Sequence, residues 1–218
     1  EYYWPRGVLR PNNVQLTLNE RNLATSPAVS GYTQVVSSGP PIWSATFGAI
    51  DLRTSNQRIC WRAISALLEG RRNIVVVPFC RGDQPLPEGY DGADTVPHSD
   101  DAPHDDDAPY SQKFNDVVLG ASAVRGATAL TLDINSAGTI QPGNYLSIDD
   151  RLYIIRQMPT PTTVNIWPPL RKAVSLGDWV EFDNPTCRMR LASDQEMSVD
   201  FQRLRFGNAT VSFIEDLT

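Results

Sequence analysis

Ile42-Trp43-Ser44-Ala45-Thr46-Phe47-Gly48-Ala49-Ile50 is the stretch on which the reading of this sequence turns. Trp43, Ala45, Phe47 and Ala49 fall on one side of an extended chain and Ser44, Thr46 and Gly48 on the other, the period of a strand buried on one face. Val14 to Leu18, Gly31 to Val36 and Asn73 to Phe79 are comparable runs, rich in β-branched or apolar residues and bounded by Pro, Gly, Asn and Ser. Nearer the C-terminus, Cys187-Arg188-Met189-Arg190-Leu191, Val199 to Phe206 and Thr210 to Ile214 set charged or polar residues against apolar ones, as half-exposed antiparallel strands do. The fold is therefore expected to be mainly β.

One helix interrupts this pattern. Thr54 stands three residues before Gln57, the spacing of a capping box, and Gly70 is placed to end the helix in a left-handed cap. The helix is predicted over about 55–69, with Ile59, Ala63, Ile64, Leu67 and Leu68 on the face that packs against a sheet. Arg58, Arg62, Arg71 and Arg72 form a basic strip near it, read as a solvated face, with docking of an acidic neighbour as the alternative.

Between Val118 and Asn184 the texture changes to short strands with their own turn signals. Thr128 to Ile134, Tyr145 to Ile148, Arg151 to Arg156, Thr163 to Trp167 and Asp178 to Phe182 read as strands. Gln141-Pro142-Gly143-Asn144 and Asp149-Asp150 read as turns between them. This is the pattern of a small β-barrel, and alternating strands resume after it. The expected organisation is a β-sandwich carrying one packed helix over 1–117 and 184–218, with the barrel inserted over 118–183.

Pro97-His98-Ser99-Asp100-Asp101-Ala102 is followed by Pro103-His104-Asp105-Asp106-Asp107-Ala108 and by Pro109-Tyr110-Ser111, a six-residue repeat of proline, ring and acid. Recurrent proline forbids a helix and ladder pairing through the middle, so 97–111 is expected to be an extended surface loop. Its carboxylates and imidazoles could gather a divalent cation, but the spacing fits neither an EF-hand nor a zincin helix, so a solvated or partner-contacting loop is the expectation.

Composition limits the function classes. A chain of 218 residues with 41% apolar content can bury a core, and 19 Lys+Arg against 25 Asp+Glu argue against a nucleic-acid partner. No apolar run is long enough for a membrane span, and Glu1-Tyr2-Tyr3-Trp4-Pro5 lacks the regions of a secretory signal. Cys60, Cys80 and Cys187 are far apart and read as reduced, buried thiols, as suits folding in a cytosol. No GxSxG, P-loop or GxGxxG occurs, both histidines lie in the acidic repeat, and Arg81-Gly82-Asp83 reads as a turn. No catalytic, cofactor or metal site is therefore expected.

Gly126-Ala127-Thr128-Ala129-Leu130-Thr131-Leu132, Ile140 to Ile148, Arg151-Leu152-Tyr153 and Ile166-Trp167-Pro168-Pro169-Leu170-Arg171 resemble a minor tail protein module of long-tailed bacteriophages. Trp43 to Ile50, the helix with Leu67-Leu68-Glu69-Gly70-Arg71, and Ile74 to Phe79 are similar to the first domain of distal tail proteins, the rings that join tail tube to tip. The resemblance implies a non-catalytic virion protein at the tail tip, assembled in a bacterial cytoplasm. Its expected partners are further copies of itself in a homo-oligomeric ring, hexameric by that likeness, the tail tube protein, and the tail hub or tip proteins. Tyr2, Tyr3 and Trp4 read either as aromatic anchors of an arm reaching a neighbouring subunit or as a first strand closing the core. Two rival functions remain: a carbohydrate- or receptor-binding β-module using Trp167 and Trp179, and a metal-dependent hydrolase using the acidic loop.

Overall fold

The computed structural model describes residues 1–23, 35–79, 82, 84–85, 95–96, 110–111, 115–198 and 207–218. Strand accounts for 48% and helix for 8%, so the protein is mainly β with a single helix among the described residues, as expected. The elements are β1 (Tyr2–Tyr3), β2 (Asn13–Asn22), β3 (Ser37–Asp51), α1 (Ser55–Leu68), β4 (Val75–Pro78), β5 (Thr95–Val96) and β6 (Tyr110–Ser111). They continue as β7 (Asp116–Leu119), β8 (Ala129–Ser136), β9 (Tyr145–Ile148), β10 (Arg151–Thr160), β11 (Thr163–Trp167), β12 (Thr186–Leu191) and β13 (Asn208–Glu215). Two compact units result, one formed by Glu1–Pro78 with Thr186–Thr218 and the other by Phe79–Pro185.

The first unit holds a six-stranded sheet in the order β1-β4-β12-β13-β3-β2, antiparallel except for the β1–β4 pair. Register places Phe47 opposite Val211, Ala45 opposite Phe213 and Leu191 opposite Phe213, so these residues share one buried face. On that face Trp4 meets Phe47, Phe213 and Trp61 of α1 edge-on, at centroid distances of 5.9, 5.4 and 6.3 Å. Such geometry sets ring edges against negative ring faces. The indole N–H of Trp4 donates to the Leu9 carbonyl and that of Trp61 to the Met197 carbonyl, each at 3.1 Å, so neither buried donor is left without an acceptor. Trp4 is thus a core residue, while Tyr2 and Tyr3 form β1 beside β4 and Tyr3 stays exposed.

Two details of this unit differ from the sequence reading. Alternation in β3 holds from Trp43 to Phe47 and then breaks: Ala49 takes a left-handed φ of 52° and faces solvent, and Ile50 turns into the core. The register with the paired strand β13 shifts at the break: Ala209 lies opposite Ile50 but Val211 opposite Phe47, so β3 carries one extra residue there, which reverses every later side chain. On α1 the capping box is present as expected. The Thr54 hydroxyl accepts from Gln57 N–H at 3.2 Å, and the Gln57 side chain accepts from Thr54 N–H at 2.9 Å. The buried stripe, however, is Trp61, Ile64 and Leu68, whereas Ile59, Ala63 and Leu67 are exposed. The helix is rotated so that its largest side chain, Trp61, reaches the core. The expected strand over Val199 to Phe206, residues 31–34 of the run Gly31 to Val36, and Cys80 lie outside the described residues.

In the second unit β7-β8-β11-β10-β9 form a curled antiparallel sheet. Bridges from Trp179 to Val118 and from Glu181 to Ser147 lay the segment before Pro185 between its first and last strands, giving the barrel-like part that was expected. Val117, Leu119, Leu130, Leu132, Leu146, Ile148, Tyr153, Ile155, Val164, Ile166, Val180 and Phe182 fill the interior. Both expected turns form. Asp149 and Asp150 adopt φ of 51° and 57° in a two-residue reversal from Ile148 to Arg151, and the Asn144 side chain accepts from Gln141 N–H at 2.7 Å.

This unit starts at Phe79, well before Val118, because polar side chains stitch the preceding segment to the barrel. Buried Asn115 donates to the Pro85 carbonyl and to Asp183, each at 2.6 Å. Gln84 donates to the Tyr145 carbonyl at 2.8 Å and accepts from its N–H at 3.2 Å, extending the ladder at β9 with a side chain. Strand periodicity carries no sign of such bonds. The acidic repeat over 97–109 lies outside the described residues. Tyr110 and Ser111, expected in that loop, instead form β6 and pair with β5, Val96 opposite Tyr110.

Candidate functional site

The hairpin β9–β10 and the stretch from Lys172 to Trp179 enclose a pocket of about 330 Å³ in the second unit. Its floor is the end of the barrel core, since Ile148, Tyr153 and Val174 belong both to the pocket lining and to the interior cluster. The walls carry Asp149, Arg151, Lys172, Asp178 and Trp179.

Local sequence explains each placement. The left-handed turn at Asp149-Asp150 lets Asp149 stand at the tip of the hairpin, where its carboxylate pairs with the Lys172 ammonium at 2.7 Å. Both partners are exposed, so this pair shapes the rim and adds little stability. Arg151 and Tyr153 lie two apart on β10 and so share a face, Arg151 at 7% and Tyr153 at 1% exposure. The Tyr153 hydroxyl accepts from Arg171 N–H at 3.0 Å, which positions the chain leading to Lys172. Asp178 accepts from Ser175 N–H at 2.7 Å across a turn with Gly177 at φ 84°. The following Trp179 is half-buried, with its indole N–H 3.4 Å from the Glu181 carboxylate.

The residues singled out in the sequence fare differently. Trp179 lines the pocket, but Trp167 does not; the Arg156 guanidinium lies 4.8 Å from its ring centroid instead. The basic strip is partly spoken for, with Arg58 donating to the Arg53 carbonyl at 2.6 Å and Arg72 to Glu69 at 2.8 Å. Cys187 is fully buried as expected, whereas Cys60 is only half-buried, the burial it has raising its thiol pKa; neither is in a disulfide. His98, His104, Asp100, Asp101, Asp105, Asp106, Asp107, Arg81 and Asp83 lie outside the described residues. Among the described residues no three His, Cys, Asp or Glu side chains converge as metal ligands, and no helix is long and apolar enough to cross a membrane.

Pattern reading missed Asp149, Arg151, Lys172 and Asp178 as a group. The only local signal was the Asp149-Asp150 turn, and the pairing of its hairpin with a loop some twenty residues later is set by barrel closure. A second polar cluster, in the first unit, is structural. Asp216 pairs with Arg190 at 2.7 Å and Arg188 at 3.9 Å and accepts from the Thr218 hydroxyl at 2.7 Å, while Arg190 also donates to the Arg71 and Arg72 carbonyls.

No protein-family model matches the chain, and no curated protein matches it.

Proposed function

We propose that this protein is a non-catalytic ring subunit at the distal end of the tail tube of a long-tailed bacteriophage, joining tube to tip. The observation that carries the reading is the open edge of the six-stranded sheet. β2 spans 10 residues, and no further strand pairs with its outer side among the described residues. A long edge with unpaired backbone groups is a liability in a free monomer and a joint in a ring. At one end of this strand Leu23, Val35 and Val36 expose apolar side chains, with Val14 exposed near the other end, and Leu23 N–H donates to the Val36 carbonyl at 2.8 Å, holding the two sides of the hairpin together. Exposed Leu23, Val35 and Val36 at the end of an open strand fit a contact surface. The partners on this reading are further copies of the chain, the tail tube protein and the hub or tip proteins, in the virion.

The experiment is particle mass in solution, for the protein alone and mixed with tail tube and hub proteins. A closed ring of fixed copy number is expected, hexameric by the family likeness. Leu23→Lys with Val35→Lys should leave the melting temperature nearly unchanged and abolish the ring, because both side chains are exposed in the single chain. A strict monomer in every mixture, or an unaltered ring in the double variant, would overturn the proposal.

A further inference from the structure

We infer that the pocket at the end of the barrel binds a single pyranose unit of a neutral glycan, with Trp179 as the stacking surface and Asp149, Arg151, Lys172 and Asp178 as the hydroxyl-reading groups. Its volume of about 330 Å³ lies at the lower end of the range for small-molecule sites, so it suits one sugar ring rather than an extended chain. Barrel mouths are a preferred place for such sites, because the strands that build the core also hold the rim rigid.

The charges decide the ligand class. Arg151 and Lys172 contribute two positive charges and Asp149 and Asp178 two negative ones, so the lining is formally neutral and carries no excess charge to select an anion or a cation. What it offers is a dense alternation of strong donors and acceptors over an apolar floor of Ile148, Tyr153 and Val174. A pyranose has that same division, with C–H groups on a face and hydroxyls around the edge, each hydroxyl able both to donate and to accept. Hydrogen bonds from hydroxyls to carboxylates, and from guanidinium or ammonium groups to sugar oxygens, are charge-assisted and stronger than neutral ones. An aromatic face beside them adds stacking on the C–H side.

Preorganisation supports the inference. Arg151 is more than nine-tenths buried at the pocket wall, so its guanidinium is held in one position rather than sampling solvent. Asp178 is fixed by Ser175 N–H, and the backbone at Asp149 by a turn whose φ values leave it little freedom. Groups already held in place lose little entropy when a ligand arrives. The inference does not depend on the ring reading, since it uses only residues of the second unit.

The test is titration of the isotope-labelled full chain with methyl glycosides of glucose, galactose, mannose and N-acetylglucosamine, and separately with inorganic phosphate, followed by amide and indole NMR shifts. For at least one glycoside, saturable shifts are expected at the Trp179 indole and at the amides of Asp149, Ala173 and Asp178, with a dissociation constant on the order of 1 mM. Trp179→Leu and Lys172→Ala should each weaken binding roughly tenfold or more. Trp167→Leu should leave it unchanged. Lys172 is exposed, so its variant keeps the test decisive even if Trp179→Leu disturbs the fold. Absence of saturable shifts with every glycoside, saturation by phosphate alone, shifts centred on Trp167 and Arg156, or equal affinity in both pocket variants would each overturn the inference.

Discussion

Leu67 and Leu68 stand side by side on α1 and have opposite environments: Leu67 is 42% exposed, Leu68 fully buried. Helical spacing admits both to one wide apolar stripe, and only the position of Trp61 in the core decides which way the helix rotates. Leu67→Asp should therefore change stability by no more than about 0.5 kcal/mol, as surface substitutions do. Leu68→Ala should cost about 2–5 kcal/mol through lost burial and a residual cavity. Urea unfolding of the two variants checks this, and the reverse order would show that the helix faces are misassigned. Asp216 illustrates the same dependence on tertiary placement, for nothing in Ile214-Glu215-Asp216-Leu217 announces that its carboxylate is buried between two arginines. Asp216→Ala would leave both guanidinium groups without that counter-charge, and we expect a loss of about 2–4 kcal/mol, less than for a wholly buried pair because the arginines keep partial access to water. Destabilisation near zero in a thermal melt would place the cluster among ordinary surface pairs.

Individual elements were legible where the signal is local. The Thr54 and Gln57 capping box acts within one turn of α1, and the Asp149-Asp150 reversal within four residues of a hairpin, so residue types alone suffice to find them. The turn also makes a firm prediction. At φ of 57° Asp150 occupies a region that a β-branched side chain enters only with strain, so Asp150→Val should lower stability by about 1–2 kcal/mol, whereas Asp150→Gly should hold or raise it. Equal midpoints for the two variants would mean that the hairpin has relaxed into another turn. The β3 alternation failed only at its end, where the bulge sits, because a bulge is a property of a strand pair and β13 is more than a hundred residues away in sequence.

At the scale of the molecule, the chain leaves the first unit and returns to it at paired residues of one sheet: Pro78 of β4 lies opposite Thr186 of β12. Replacing 79–185 by a tight Asn-Gly turn should convert β4 and β12 into a hairpin and leave a first unit that unfolds cooperatively. Loss of a cooperative transition in calorimetry would show that the first unit needs the second in order to fold. The sequence by itself determined the β-rich class, the capped helix, and the barrel-like part with its turns, because period, propensity and turn chemistry act over a few neighbouring residues. Tertiary structure alone decided where the insertion begins, which side of α1 is buried, that Trp4 belongs to the core, and that Asp149, Arg151, Lys172, Asp178 and Trp179 share one pocket. Each of these depends on side chains brought together by strand register and barrel closure, and register is a relation between distant segments that no local pattern encodes.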